Sequence, residues 1–282
     1  MEVFKIRSIA YLLIVFLVIS ACKNKIEDKR KEIVNVEIKK IVHPEFQKII
    51  NDKNVTGAVL IYDFKKDTYY SNDFDWATIG RLPASTFKIP NSIIALELGI
   101  VKNDSTLFAW NGEKRAYKVW EQNLVLKQAF HYSCVPCYQE IARKVGVKRM
   151  QNLLDKLEFG NMDFNATTID NFWLEGNSKI NQFQQIDFLK QLYESKLPIS
   201  KRTEVIMKKM MLIDDKENFK LRGKTGLSVR SDKRNGWFVG YLEKNKKVYF
   251  FATNIEPNKS TDPNLFIKAR KEITFKVLQT LK

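Results

Sequence analysis

The stretch "PASTFKIPNSIIALELG", residues 83–99, restricts the fold of this 282-residue chain more than any other. Its apolar residues recur at helical spacing as far as Gly99, which predicts a helix that ends near this glycine. Ser85 and Lys88 lie three positions apart near its start, so both side chains project from one helical face. Apolar neighbours flank Lys88 on both sides. Either its side chain reaches solvent, or burial lowers its pKa and keeps the amine neutral.

A neutral amine beside a serine has a chemical use. It can take the hydroxyl proton and make the serine a nucleophile. The S-x-x-K spacing alone is weak evidence, because Ser20 and Lys23 also match it in the N-terminal region. The plain alternative is a helix-capping serine with a lysine that extends to water, and the isolated pattern favours that alternative.

Two further motifs follow along the chain. "KTG", residues 224–226, begins a predicted strand, whose edge offers backbone N–H groups, a hydroxyl and a cation to a carboxylate or an oxyanion. Ser133 in "SCV" is a second serine that can relay a proton to a leaving amine. Each motif by itself also fits an ordinary strand start or an ordinary serine.

The three motifs in this order resemble those of the penicillin-recognising serine acyltransferases, the β-lactamases and penicillin-binding proteins. The finer resemblance is to the class D (oxacillinase-type) serine β-lactamases. The similarity covers most of residues 55–280. It is carried by "PASTFKIPNSIIALELG", "SCVPCYQEIARKVG", "FGN" (159–161), "NFWLEG" (171–176), "KTG", "GWFVGYLE" and Arg270 in "KARKEI".

The resemblance implies a modified lysine. In that family, carbon dioxide carboxylates the S-x-x-K lysine to a carbamate, which requires a neutral amine. Lys88 would then be the general base, and Trp173 would donate its indole N–H to the carbamate. Val135 and Leu174 would supply apolar surface around it. Carbon dioxide or bicarbonate is the source of the carbamate, and neither another cofactor nor a metal is expected.

The resemblance also implies a two-step acyl transfer on a β-lactam, a small-molecule substrate. Ser85 would attack the β-lactam carbonyl, and the backbone N–H groups of Ser85 and Leu227 would hold the oxyanion. Ser133 would pass a proton to the ring nitrogen. The substrate-binding residues implied are Val135, Lys224, Thr225, Gly226, Leu227 and Arg270.

Two departures from the commonest family pattern concern side chains near the site. Phe159 stands where many members have tyrosine, which excludes a phenolic role. Cys134 and Cys137 fall within the S-x-V region, and a C-x-x-C pair can indicate redox chemistry or half a metal site. The chain has two histidines, His43 and His131, and no second cysteine pair. We therefore expect Cys134 and Cys137 to be two buried small residues, and the sequence does not decide whether they form a disulfide.

Two rival functions share these motifs. Sensor domains of β-lactam receptors become acylated without turnover, and several membrane helices precede them, which we do not expect here. D,D-peptidases usually carry asparagine two places after the second serine, where this chain has Val135. These differences favour a β-lactamase and leave open which penicillins, cephalosporins or carbapenems it hydrolyses.

The first 22 residues, "MEVFKIRSIAYLLIVFLVISAC", predict export. A short basic region precedes an apolar run at residues 9–19, which is too short for a good membrane span. The ending before Cys22 resembles a lipobox, so we expect cleavage there and a lipidated Cys22 that holds the protein at the periplasmic side of an inner or outer membrane. The alternatives are an ordinary signal peptide or an uncleaved anchor.

Composition and charge suit one exported globular body. The chain is 44% hydrophobic and has a formal net charge of +16. Lysines alternate with acidic residues, and no basic stripe carries stacking aromatics, so we expect no nucleic-acid partner. Membrane contact is expected through the N-terminal lipid only, and the oligomeric state is open.

The domain prediction is a signal peptide at 1–21, a charged tether at 22–40 and a single catalytic domain at 41–282.

The remaining patterns predict the fold class. Residues 56–73 predict a β-hairpin, and residues 146–160 predict a helix that ends at Gly160. Helices are predicted near 185–195 and 201–212, strands in "GKTGLSVR", "GWFVGYLE" and "KVYFFATNIE", and a closing amphipathic helix. We predict an α/β protein of the α+β type. Its mostly antiparallel sheet comes from N- and C-terminal segments, is flanked by helices and has a helical insertion, with a site in the cleft between them.

Overall fold

The strands at the two ends of the chain meet in one sheet. The computed structural model describes residues 39–229 and 234–281. The predicted signal peptide, Cys22 and most of the predicted tether lie outside the described residues. Lys39 and Lys40, predicted as the end of the tether, belong to the first strand. The strands are β1 Lys39–Val42, β2 Val55–Asp63, β3 Thr68–Ser71, β4 Leu107–Phe108, β5 Leu124–Val125, β6 Leu212–Lys216, β7 Phe219–Ser228, β8 Asn235–Lys244 and β9 Lys247–Pro257.

Seven of these strands form the main sheet of the described residues, in the order β1-β3-β2-β9-β8-β7-β6. Neighbouring strands are antiparallel except for β1 and β3, which pair in parallel. The register of β2 and β9 runs from Val55 opposite Pro257 to Asp63 opposite Tyr249. The predicted hairpin of β2 and β3 and the sheet built from both chain ends are therefore confirmed.

Helices cover both faces of this sheet, and two short 3-10 turns, Ala84–Phe87 and Lys118–Trp120, interrupt the connections. The mixed α/β fold predicted from the sequence is confirmed. The helices are α1 Pro44–Asn51, α2 Phe74–Thr78, α3 Lys88–Glu97, α4 Leu126–His131, α5 Val135–Val145, α6 Val147–Leu157, α7 Gln182–Tyr193, α8 Lys201–Met210 and α9 Pro263–Thr280.

Two apolar cores lie on opposite faces of the sheet, because successive side chains of a strand point to opposite sides. In β2, Val59 and Ile61 enter the core formed with α1 and α9. Leu60 and Tyr62 enter the larger core formed with α3 to α8. This second core holds the helical insertion against the sheet, and the cleft described below lies along its edge.

The ends of two helices differ from the prediction. The helix predicted over 201–212 ends at Met210, and residues 212–216 form β6 because they pair with β7. The charge-rich sequence "LIDDK" gives no strand signal, so only tertiary pairing defines this strand. α6 ends at Leu157 with Glu158 in the left-handed conformation, ahead of Gly160.

Within the described ranges, we find no helix with the length and apolarity that a membrane crossing requires.

Candidate active site

The S-x-x-K motif lies where the 3-10 turn continues into α3. Ser85 is in the turn, and Lys88 is the first residue of the helix. The Lys88 Nζ atom is 3.3 Å from Ser85 Oγ. Lys88 is fully buried and Ser85 is 8% exposed, so the alternative of a lysine extended to water is wrong. The preceding residue, Ala84, has φ 49°, a left-handed conformation that costs a non-glycine residue about 1 kcal/mol.

Hydrogen bonds from neighbouring residues hold this turn. Thr86 Oγ1 donates to the Pro83 carbonyl oxygen at 2.7 Å, and Gln185 Nε2 donates to Thr86 Oγ1 at 2.9 Å. Pro90 is the third residue of α3, where its missing N–H has no partner within the helix in any case. Pro90 is therefore compatible with the first turn of α3.

Aromatic and hydroxyl groups surround Lys88. The Tyr138 ring centroid lies 4.8 Å from Lys88 Nζ. Ser92 Oγ donates to the Lys88 carbonyl oxygen at 2.7 Å, so the Tyr138 hydroxyl, also 2.7 Å from Ser92 Oγ, acts as the donor of that second bond. Burial disfavours a charged ammonium group. The full burial of Lys88 therefore favours the uncharged amine, whereas the Tyr138 ring favours the ammonium form.

Trp173 presents an unsatisfied donor beside this site. Its side chain is fully buried and stacks on Phe87, the residue before Lys88, with ring centroids 5.2 Å apart. Its Nε1 atom has no hydrogen-bond partner among the described residues. A buried N–H without a partner is unfavourable, so this position suits an acceptor that the polypeptide itself does not supply.

Ser133 and the KTG motif meet across the cleft. Ser133 follows α4 with φ 54°, and Lys224 lies on β7 with 4% exposure. Lys224 Nζ donates to Ser133 Oγ at 2.6 Å and to the Thr225 carbonyl oxygen at 3.0 Å. Burial lowers the pKa of Lys224 well below 10.5, and nearby positive charges such as Arg270 lower it further.

Arg270 reaches the cleft from α9. Its Nη1 donates to the Gly226 carbonyl oxygen at 2.5 Å, and its Nε donates to the Ile267 carbonyl oxygen at 2.9 Å. Burial lowers the pKa of Arg270 to about 10, so it remains a cation at neutral pH. Gly236 leaves room for it, since a Cβ there would lie 2.6 Å from Arg270 Cδ.

A cleft of about 440 Å³ brings these groups together. No Asp or Glu of the described residues lines it, and Arg270 gives its wall a positive charge that favours an anionic ligand. Of the predicted site residues, Lys88, Trp173, Lys224 and Gly226 lie behind its surface. Those in its wall are Ser85, Ser133, Val135, Leu174, Thr225, Leu227 and Arg270.

Sequence reasoning missed one wall of the cleft. Tyr117 and Trp120 pack edge to face there with ring centroids 4.7 Å apart. The only sequence signal is the local density of aromatic residues around "YKVW". Ser228 was also missed, and its buried Oγ has no partner among the described residues. The other lining residues that were not predicted are Ala116, Val119, Tyr132, Val229 and Ile267.

The two departures noted in the sequence have structural outcomes. Cys134 and Cys137 are buried and form a disulfide. No group of three or more His, Cys, Asp or Glu side chains within the described part of the chain could hold a metal ion. Phe159 is buried and packs edge to face on Phe87 and Phe188. It therefore supports the core behind the site.

Comparison with known proteins identifies the family. Residues 50–279 match the penicillin binding protein transpeptidase domain. The chain is 40% identical to β-lactamase OXA-48 of Klebsiella pneumoniae over 79% of its own length and 82% of that protein. It is 35% identical to β-lactamase OXA-5 of Pseudomonas aeruginosa over 95% of both chains.

Solved structures agree with this result. A class D β-lactamase, YbXI from Nostoc, superimposes with a TM-score of 0.80 at 40% identity, covering 84% of this chain and 98% of that one. The class D β-lactamase FUS-1 (OXA-85) of Fusobacterium nucleatum gives 0.80 at 34% identity, with 86% and 99% covered. These relatives share the fold over nearly their whole length. The chain therefore belongs to the penicillin-binding transpeptidase family and, within it, to the class D β-lactamases.

Proposed function

We propose that this protein is a serine β-lactamase that hydrolyses the β-lactam amide of penicillin-type antibiotics through an acyl-enzyme on Ser85 and so confers resistance. The single observation that carries the proposal is the buried pair of Ser85 and Lys88, 3.3 Å apart, at a cleft whose described lining residues include a cation and no carboxylate. The relatives named above are β-lactamases, which supports this reaction for the shared site.

Substrate binding uses the positive wall of the cleft. Penicillins carry a carboxylate next to the β-lactam ring, and Arg270 with the Thr225 hydroxyl offers a charged and a neutral donor for it. Lys224 adds positive charge from behind the surface. The aromatic pair of Tyr117 and Trp120 faces the rest of the ligand with apolar surface.

Acylation begins with Ser85. Its Oγ attacks the β-lactam carbonyl carbon and gives its proton to the base at Lys88. Negative charge develops on the carbonyl oxygen, and the backbone N–H groups of Ser85 and Leu227 stabilise it. Ring opening leaves an amine, whose proton comes from the Ser133 hydroxyl. Lys224 Nζ, hydrogen-bonded to Ser133 Oγ at 2.6 Å, can replace that proton.

A carbamate on Lys88 fits the residues around this amine. Full burial favours the uncharged amine that reacts with carbon dioxide, and the unpartnered Trp173 Nε1–H supplies a donor for the added oxygen atoms. Such a group would supply a general base for both acylation and deacylation. Val135 and Leu174 keep the cleft surface near Ser85 apolar, which limits competing polar contacts.

The location of the protein is part of the proposal. We propose export and anchoring through a lipid on Cys22 at the periplasmic side of the membrane, where β-lactams must pass to reach cell-wall enzymes. The Cys134–Cys137 disulfide supports an oxidising compartment, because disulfides persist in exported proteins and are rare in the cytosol.

The deciding experiment measures benzylpenicillin hydrolysis by the purified full chain with and without added bicarbonate, together with intact-mass spectrometry. We expect turnover that falls when bicarbonate is removed and recovers when it is returned. Ser85→Ala should show neither turnover nor a covalent adduct. A stable acyl adduct without turnover, even in bicarbonate, would contradict a β-lactamase and leave a sensor or a D,D-peptidase.

A further inference from the structure

The C-x-x-C motif, to which the proposed mechanism gives no role, lies at the start of α5. Cys134 is the N-cap residue, and Cys137 is the third residue of the helix. An N-cap oxygen commonly accepts the N–H of this third residue. Here Cys134 Sγ is the acceptor at 3.3 Å, and sulfur accepts hydrogen bonds weakly. The disulfide therefore makes covalently the connection that a capping oxygen makes by hydrogen bonding.

This cap disulfide, Cys134–Cys137, directly follows Ser133. Ser133 has φ 54°, a conformation that residues other than glycine adopt only where neighbouring structure enforces it. On the α4 side, the Cys134 N–H donates to the Ala129 carbonyl oxygen at 2.9 Å, and the Ser133 N–H donates to the Phe130 carbonyl oxygen at 3.2 Å. On the α5 side, the covalent restraint nearest to Ser133 is the cap disulfide. It therefore restrains the chain on the α5 side of Ser133, whose Oγ accepts a hydrogen bond from Lys224 Nζ.

The residue on the other side of the disulfide is anchored independently. Tyr138 is fully buried, its hydroxyl bonds to Ser92 Oγ, and its carbonyl oxygen accepts from Asn91 Nδ2 at 3.4 Å. Tyr138 is the aromatic neighbour of Lys88. Loss of the disulfide should therefore loosen Ser133 while it leaves the Tyr138 side chain in place beside Lys88.

We propose that the cap disulfide is a positioning device that holds Ser133 for proton transfer to the leaving nitrogen during acylation. The inference rests on the proposed function. The sulfur atoms touch neither the substrate nor the reacting atoms, and they act through the backbone of Ser133. Acylation requires this serine, whereas deacylation relies on the base at Lys88 and water, so the disulfide affects the first step selectively.

The test compares acylation and deacylation of the full chain in detergent, with benzylpenicillin as substrate, before and after reduction. A water-soluble phosphine cleaves the disulfide to two thiols and becomes the phosphine oxide, with oxygen and protons from water. Excess phosphine is removed, and alkylation with mass spectrometry counts the new thiols. We expect acylation to slow by about tenfold, or about 1.4 kcal/mol of barrier, and deacylation to change by less than about twofold.

Variants keep the test decisive if the buried disulfide resists the phosphine. Cys134→Val/Cys137→Val keeps apolar side chains at both positions and should reproduce the reduced enzyme, with no response to phosphine. In a Ser133→Ala background, acylation should already be slow, and loss of the disulfide should slow it no further. A merely structural role would instead slow both steps and add to the effect of Ser133→Ala.

The outcomes separate the two proposals. Hydrolysis with equal acylation rates in the oxidised and disulfide-free forms would overturn this inference and leave the β-lactamase function intact. Equal slowing of acylation and deacylation would overturn it as well. Absence of hydrolysis by the oxidised wild-type protein would overturn the proposed function, and the inference with it.

Discussion

Lys224 Nζ lies 2.6 Å from Ser133 Oγ, which joins two motifs that are 91 residues apart in the chain. Lys224 is the donor in this bond, so the Ser133 hydroxyl proton remains available to a leaving group. Burial, together with positively charged neighbours such as Arg270, lowers the pKa of Lys224 well below 10.5. A depressed pKa suits proton transfer, because the ammonium group gives up its proton more readily.

The lowered pKa predicts an alkaline limb in the pH profile. As pH rises through the pKa of Lys224, the positive charge of Lys224 is lost. The decrease in kcat/KM for an anionic penicillin should therefore begin at a pH below 10.5. In Lys224→Arg the guanidinium group keeps its charge, so the fall should move to higher pH even if the maximum rate is lower. The measurement is kcat/KM for benzylpenicillin across the alkaline range at saturating bicarbonate.

The matched control is Lys220→Arg on the same strand. Lys220 is exposed and pairs with Asp215 at 3.4 Å, so this variant should leave the profile unchanged. An unchanged alkaline limb in Lys224→Arg would contradict the assignment of this limb to the titration of Lys224. A carbamate at Lys88 would place a negative charge near Lys224 and so raise the pKa of Lys224. The limb should therefore move to higher pH when bicarbonate is added.

Trp173→Phe should raise the bicarbonate requirement. The change removes the one buried N–H of this side chain and keeps most of its apolar volume. A carbamate loses a donor, and we expect at least about a tenfold loss of kcat without bicarbonate, partly restored by bicarbonate, since a hydrogen bond to a charged group contributes about 1.5–3 kcal/mol. Steady-state hydrolysis over a bicarbonate titration measures this effect.

A second buried tryptophan provides the control. Trp237 Nε1 donates to the Leu82 carbonyl oxygen at 2.9 Å, so Trp237→Phe leaves a buried acceptor without its partner. We expect Trp237→Phe to lower the melting temperature without changing the bicarbonate dependence. Equal bicarbonate dependence of the two variants would show that Trp173 has no special role toward Lys88.

The fold was largely predictable because its long elements carry their own periodicity. β2, β8 and β9 alternate or form continuous apolar runs, and α3 repeats its apolar residues at helical spacing. The short elements were not predictable. β6 exists only through its pairing with β7, and the charged "LIDDK" sequence gives no sign of that pairing.

The candidate site also contains residues that the sequence predicts and residues that it does not. Ser85, Lys88 and Lys224 belong to short motifs whose combination resembles that of a known family, so they were predictable from the sequence. Tyr117 and Ser228 face the cleft only because distant segments fold together, and neither belongs to a spacing pattern. The resemblance supplied a role for Trp173, but its unpartnered N–H could be known only from the packed structure.

Gly226→Ala should slow acylation by moving the nucleophile turn. A Cβ at Gly226 would lie 3.1 Å from the Pro83 carbonyl oxygen and 3.2 Å from Thr86 Cγ2, so the turn or β7 must shift by a few tenths of an ångström. Catalysis is sensitive to such displacements, and we expect about a tenfold loss of the acylation rate. Pre-steady-state acylation by benzylpenicillin measures it.

Gly80→Ala is the matched control, because its Cβ would meet only the side chain of Lys179, at 3.0 Å. The nearest atom is Lys179 Cβ, so this variant also requires a small shift, but Lys179 lies outside the lining of the cleft and acylation should stay within about twofold of wild type. A similar loss in both variants would indicate general destabilisation and contradict the specific effect of Gly226.

Glu204→Gln should destabilise the protein in a pH-dependent manner. Glu204 is 5% exposed, and its Oε1 accepts hydrogen bonds from Lys208 Nζ at 2.7 Å, Lys201 Nζ at 2.9 Å and Ser195 Oγ at 2.9 Å. These donors outweigh burial and lower the pKa of Glu204 from 4.5 to about 2. Because the folded-state pKa is depressed, the carboxylate stabilises the fold above pH 4.5, and this contribution is lost as pH falls toward 2.

We therefore expect Glu204→Gln to lower the free energy of unfolding by about 1–2 kcal/mol at neutral pH, since Lys201 is exposed and its attraction is screened by solvent. Urea unfolding at neutral pH and near pH 2 measures the difference, which should shrink at the lower pH because about half of Glu204 is then protonated in the folded wild type. Glu140→Gln breaks an exposed pair with Lys144 and should cost less than about 0.5 kcal/mol at either pH. A loss in Glu204→Gln that is equally large at both pH values would show that packing, rather than the charge of Glu204, stabilises this end of α8.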